Sequence, residues 1–142
     1  MIIASMLMVS APSAAESCKI EMLTPNVSTL LAGPYSLDLG EADDRNQPTS
    51  WQGPLTMGQC RLDISIITSP MALGSSRYLF VRSYSGSNDT VAIADLHDCA
   101  IVWTSKPFAG KWSISSKELV LAGKSIPLAA TCLPGSTGKT QK

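Results

Sequence analysis

Four cysteines, Cys18, Cys60, Cys99 and Cys132, lie far apart in the chain, and no two of them form a CxxC pair. Zinc and dithiol redox sites draw their sulfurs from such close pairs. A widely spaced even set reads instead as two disulfides, with three connectivities to choose from. Each cysteine also sits in a stretch where apolar residues recur at every second position. Cys60 is in phase with Leu62, Ile64 and Ile66, Cys99 with Ile101 and Trp103, Cys18 with Ile20 and Met22, and Cys132 with Ile126, Leu128 and Ala130. If these stretches are strands, all four sulfurs point to an apolar face, where facing sheets can be bridged. Our reading leans to a Cys60–Cys99 bridge packed by Trp103. That leaves Cys18 to join Cys132 and tie the chain ends, with the other two pairings still open. The sulfurs are then expected to be sealed inside a two-layer β framework.

Period-two patterning extends through most of the chain. In "CRLDISIIT" Leu62, Ile64 and Ile66 alternate with Arg61, Asp63 and Ser65, and in "RYLFVRSY" Tyr78, Phe80 and Arg82 oppose Leu79 and Val81. "TVAIADL" and "CAIVWT" are short β-branched runs between polar turns. "KELVLAGKSIPLAATC" reads as a hairpin turning at Ala122-Gly123-Lys124, with Pro127 marking an edge strand or a bulge. "CKIEML", "VSTLLA" and "YSLDL" are weaker strands broken at Pro25-Asn26 and Gly33-Pro34. The count is about eight short strands, the pattern of an all-β antiparallel sandwich or barrel-like fold. The longest stretch without regular patterning spans 40–58, a length that compact domains reserve for binding loops or disorder.

At 142 residues the chain has the size of one domain, read here as a single β domain over 16–133. Before it, "MIIASMLMVSAPSAAES" carries an apolar run followed by Pro12, Ser13, Ala14 and Ala15, the hydrophobic and cleavage regions of an export signal over 1–15. The run is too short to span a bilayer, so no membrane span is expected. After the domain, residues 134–142 read as a flexible polar tail. Export into the periplasm agrees with paired cysteines. Eleven basic and eleven acidic side chains cancel, which argues against a nucleic-acid partner.

Several stretches imitate chemistry. His97, the only histidine, is followed by Asp98 and Cys99, the ingredients of a thiol hydrolase. Such a site needs a free thiolate with a base in reach, whereas neighbours in a strand diverge and Cys99 is expected to be oxidised. His97 and Asp98 then become turn residues, with Asp98 making a local side-chain turn. "GSTGKT" near the end has two residues, not four, between Gly135 and Gly138, so it is not a phosphate-binding loop. Asp38, Glu41, Asp43 and Asp44 cluster without the spacing of a calcium loop. Neither a metal nor a cofactor is expected.

A binding surface remains. The acidic cluster runs into Arg45 and Trp51, and "SKPFAGKW" offers Phe108, Lys111 and Trp112. Aromatics beside charges are common interface anchors, although each tryptophan could equally plug an end of the core. The chain resembles the small periplasmic immunity proteins that protect bacteria from type VI secreted peptidoglycan amidases. The likeness lies in the export segment, the size, the β-rich body and the paired cysteines. It implies an inhibitor, not an enzyme, that plugs the groove of an amidase effector with a loop. The 43–52 loop is the expected insert, with Asp43, Asp44, Arg45, Trp51, Lys111 and Trp112 as contacts. The alternatives are a secreted carbohydrate- or surface-binding β module with aromatics aligned on one sheet face, and a small thiol hydrolase.

Overall fold

In a computed structural model of the chain, which describes residues 18–85 and 88–135, residues 79–81 of β8 (Tyr78–Ser85) are buried on both faces of the strand. Leu79 and Val81 are buried in one hydrophobic core, and Phe80 is buried in a second. β9 (Asn88–Asp95) repeats the division: Ala92 and Ala94 join the first core, Val91 and Ile93 the second. The cross-strand register puts Leu79 opposite Ala94, Phe80 opposite Ile93 and Val81 opposite Ala92, so each core meets one face of the same sheet. A strand apolar at nearly every position must be covered on both sides, and here it is.

The central sheet runs β1 (Ile20–Leu23), β7 (Ile67–Gly74), β8, β9 and β10 (Ala100–Thr104), with β4 (Ser50–Trp51) also paired to β7. One face is covered by a sheet of β2 (Thr29–Ala32), β3 (Tyr35–Asp38), β5 (Leu55–Met57) and β6 (Cys60–Leu62), which contributes Leu30, Leu37, Leu55 and Leu62 to the first core. The other face is covered by β11 (Trp112–Ile114), β12 (Glu118–Leu121) and β13 (Lys124–Pro127), which brings Trp112, Leu119 and Leu121 to the second. The fold is therefore all-β, antiparallel and sandwich-like, with thirteen strands among the described residues rather than about eight, and three layers rather than two. Most extra strands are pieces of two or three residues, too short to show a period in sequence, but β7 is eight residues long. The stretch read as one strand, "CRLDISIIT", divides into β6 and the start of β7, which runs on through Pro70 to Gly74.

Turn chemistry pins the covering sheets. β12 and β13 are joined by Ala122-Gly123, both at positive φ (49° and 83°), the two-residue turn whose twist suits a hairpin. β13 is an edge strand, which accommodates Pro127. β2 and β3 are joined by Gly33-Pro34, with Gly33 at φ 57°.

Both disulfides form as Cys18–Cys132 and Cys60–Cys99. Their burial is unequal. Cys18 and Cys132 are 1% and 0% exposed inside the second core, whereas Cys60 is half-buried and Cys99 is exposed. The expectation that all sulfurs are sealed inside therefore fails for the second bridge. Cys99 lies in the turn between β9 and β10 at φ 54°, outside the strand. The expected packing by Trp103 fails for a related reason. The register jumps from Ile101↔Ala94 to Trp103↔Ile93, a bulge at Val102 that turns Trp103 to the opposite face. Trp103 packs in the second core, beside the other bridge. Ile66 departs from its phase too, since a positive φ of 52° leaves it 43% exposed and buries Ile67 instead.

The expected export segment over 1–15 lies outside the described residues, as does the chain beyond 135. Pro134 and Gly135, placed in the expected flexible tail, bond back to the body: Pro134 bridges Leu128, and the Gly135 amide donates to Pro127 O at 2.6 Å. The described residues contain no helix, so none is long and apolar enough to cross a membrane.

Candidate functional site

The 40–58 stretch is not irregular throughout, because β4 and β5 lie within it. Its outer part is a turn over 41–52 that continues a hairpin beyond the sheet. Ala42 bridges Trp51, the Asp43 amide donates to Ser50 O at 3.0 Å, and the Gln52 amide donates to Glu41 O at 2.9 Å. The Asp43 carboxylate staples the inside of this turn. Its Oδ1 accepts from the amides of Asp44 (2.9 Å), Thr49 (2.9 Å) and Ser50 (3.2 Å), and its Oδ2 accepts from Thr49 Oγ1 at 2.6 Å. These donors, led by the Thr49 hydroxyl, hold the Asp43 carboxyl well below its ordinary value. Asp44 Oδ1 then accepts from the Asn46 amide at 2.8 Å, which shapes the tip. A polar loop with its backbone fixed this way presents Asp44 and Arg45 outward with little ordering left to lose on binding.

The structure separates the six expected contacts. Asp43, Asp44, Arg45 and Lys111 are exposed. Trp51 is 2% exposed in the first core, where its Nε1 donates to Val27 O at 2.6 Å, so it supports the loop from below and offers no surface. Trp112, opposite Leu121, is buried in the second core. Lys111 and Trp112 belong to the layer on the other side of the central sheet, and the 41–52 turn and "SKPFAGKW" do not form one surface. Sequence reasoning missed a recess of about 260 Å3 beside Arg45, lined also by Glu41, Ala42, Val27 and Ser28. Val27, at φ 52° in the turn before β2, is exposed there. Nothing in its sequence context signals that conformation.

His97, Asp98 and Cys99 lie in the β9–β10 turn. The Cys99 sulfur is bound to Cys60, so the thiol that a hydrolase reading needs is not there. The residue that organises the turn is Asp95, not Asp98. Asp95 is 3% exposed and accepts from Arg77 Nε (3.0 Å) and Nη2 (2.8 Å), and from the amides of His97 (3.0 Å) and Asp98 (3.1 Å). Asp98 accepts from Arg77 Nη2 at 3.1 Å and meets His97 Nδ1 at 2.8 Å. The whole cluster anchors the turn that carries Cys99. Among the described aromatics Tyr84 is exposed and Tyr35, Tyr78, Trp103 and Phe108 are half-buried. No group of three or more His, Cys, Asp or Glu is placed to hold a metal among them.

The Asp95 pair gives a first prediction. The Arg77 hydrogen bonds, followed by the opposed cost of burial, set the Asp95 carboxyl below its ordinary value. A depressed folded-state pKa stabilises the fold fully above the unfolded value of about 4, and that contribution fades as pH falls below it. Asp95→Asn is expected to lower the urea midpoint at pH 7, and the gap to wild type to narrow as pH falls below about 4. A pH-independent gap would show that the lost charge is not the cause.

Comparison with known proteins finds no family model, no curated protein and no solved structure that matches the chain.

Proposed function

We propose that the protein is an exported periplasmic inhibitor, an immunity protein that occludes the active-site groove of a peptidoglycan amidase effector with its 41–52 turn. The observation that carries this reading is the Asp43-centred hydrogen bonding, which fixes an exposed polar turn on a disulfide-braced β body. Inhibitory loops gain affinity when their bound shape exists beforehand. Two disulfides suit an oxidising compartment, where such an effector acts on the cell wall. Asp44 and Arg45 at the tip are the proposed contacts. Trp51, under the turn, is its support.

The test uses type VI peptidoglycan amidase effectors, beginning with any encoded beside this gene. The oxidised protein is expected to form a 1:1 complex with one of them by calorimetry and to stop its release of peptidoglycan fragments. Reversing both tip charges (Asp44→Arg with Arg45→Glu) is expected to weaken binding by about thirtyfold or more, the loss of a hot-spot contact. Asp43→Ala keeps the tip side chains but loosens their frame, and its effect is expected mainly in the unfavourable entropy of binding. No complex and undiminished hydrolysis would refute the inhibitor reading.

A further inference from the structure

On the far side of the central sheet from the 41–52 turn, a cleft of about 450 Å3 opens between the 105–111 loop and the β12–β13 hairpin. Its size lies in the lower range of small-molecule sites, ~300–1,000 Å3. Pro107, Phe108, Leu121 and Ile126 give it an apolar lining, and Lys106 and Lys124 give it two ammonium groups. Both lysines are exposed, and neither forms an ion pair among the described residues. The one carboxylate on the hairpin, Glu118, is engaged by the Ser125 hydroxyl.

The aromatic wall is held in place independently of any ligand. The Phe108 amide donates to Asp89 O at 2.8 Å and the Asp89 amide returns a bond to Phe108 O at 2.9 Å. Arg82 lies 5.5 Å from the centroid of the Phe108 ring, donates to Gly110 O at 2.9 Å and is itself held by the Asp89 carboxylate. The loop that forms one side of the cleft is thus tied at three points to β8 and β9. The hairpin on the other side is fixed by its Ala122-Gly123 turn and by Leu121 in the second core.

We propose that this cleft binds a small carboxylic acid with an apolar body, the ring or chain resting on Phe108 and Ile126 and the carboxylate between Lys106 and Lys124. An apolar pocket with a few convergent polar groups selects such a ligand, because the body gains burial while the charge stays at a wet cationic rim. A neutral ligand of the same shape forgoes the charge-assisted bonds, which account for about a tenfold or larger difference.

The experiment is an amide-resolved NMR titration of the oxidised full chain with 4-phenylbutyrate, and separately with 4-phenylbutanol. Saturable shifts at Phe108, Leu121 and Ile126 are expected with the acid, and binding at least about tenfold weaker with the alcohol. The double variant Lys106→Gln, Lys124→Gln changes two exposed residues and is expected to remain folded. It should bring the acid down to the alcohol's affinity. Ile126→Trp, which fills the cleft from the edge strand, should abolish the shifts. The tripeptide Gly-Gly-Phe, compared with its C-terminal amide, identifies the source: the same preference for the free carboxylate would show that a peptide terminus can also fill the site. Absence of saturable shifts overturns the proposal. So does equal affinity for acid and alcohol, or unchanged affinity in the double-glutamine variant.

Discussion

Replacing Cys18 and Cys132 together by alanine is expected to remove at least about 5 kcal/mol of stability, a large share of the ~5–15 kcal/mol a domain possesses. The bridge closes a loop with a sequence separation of 114 residues. In the chain-entropy account a closure of that length restricts the unfolded chain by about 5 kcal/mol, against about 4 kcal/mol for the 39-residue separation of Cys60–Cys99. Packing adds to the difference. Cys18 and Cys132 lie inside the second core with Phe80, Ile93 and Trp112. A β-carbon on Gly74 would stand 2.9 Å from both the Cβ and the Sγ of Cys132, a measure of how closely β7 is fitted to the bridge. Cys60→Ser with Cys99→Ser removes a bridge with little burial, so its cost should stay near the loop-closure figure. Access to reductant separates the two bridges again, because exchange requires a thiolate to reach a sulfur. Under limiting dithiothreitol in native buffer, Cys60 and Cys99 are expected to be alkylated first, with Cys18 and Cys132 following only as the protein unfolds. Urea midpoints and mass spectrometry of the alkylated chain check both statements. Simultaneous labelling of all four cysteines would contradict the burial difference.

The elements legible in sequence are those whose local chemistry and tertiary role coincide. The β12–β13 hairpin is one: Leu119 and Leu121 face the core, and Ala122-Gly123 adopts the turn its composition suggests. The cysteine pairing came out as read although strand phase is not its cause: Cys60 alone lies in a strand, while Cys18, Cys99 and Cys132 sit in segments beside strands, Cys99 and Cys132 at positive φ. What escaped depends on single-residue backbone departures. The bulge at Val102 sends Trp103 to the face opposite the one its spacing implies, and the positive φ at Ile66 inverts the phase between Ile64 and Ile67. One residue is enough, because side chains alternate with a period of two. The third layer did leave a trace. Val91 to Ala94 are apolar at every position, the mark of a strand covered on both faces. In the candidate site, acidic residues beside Trp51 suggested an exposed anchor, but an indole whose N–H reaches the Val27 carbonyl in the turn before β2 is buried with little polar cost. The role of Asp43 was hidden for another reason. Its main partner, Thr49, is six residues away, and only the closed turn brings them together.

Gly53→Ala is expected to cost at least about 4 kcal/mol, enough to leave much of the protein unfolded at physiological temperature. Two effects combine at this position. Gly53 has φ 71°, where an L-residue pays about 1–2 kcal/mol. Its β-carbon would also lie 2.1 Å from Ile64 O, a backbone atom that cannot swing aside as a side chain can. Retreat in the other direction is blocked, since the Gly53 amide donates to Leu39 O at 2.8 Å and Gly40 packs against the Gly53 backbone. Gly58→Ala isolates the first effect, because Gly58 has φ 60° with nothing within 4 Å of its would-be β-carbon. That variant should lose only about 1–2 kcal/mol. The difference between the two urea midpoints measures the close approach itself, and near-equal losses would show that the Gly53 backbone can shift. Gly40 and Gly53 also form the base of the 41–52 turn, beneath the Asp43 hydrogen bonds. A backbone forced apart there would loosen Asp44 and Arg45 before the fold as a whole gives way. If the turn is the inhibitory element proposed above, any Gly53→Ala protein that remains folded should lose more amidase inhibition than stability alone accounts for.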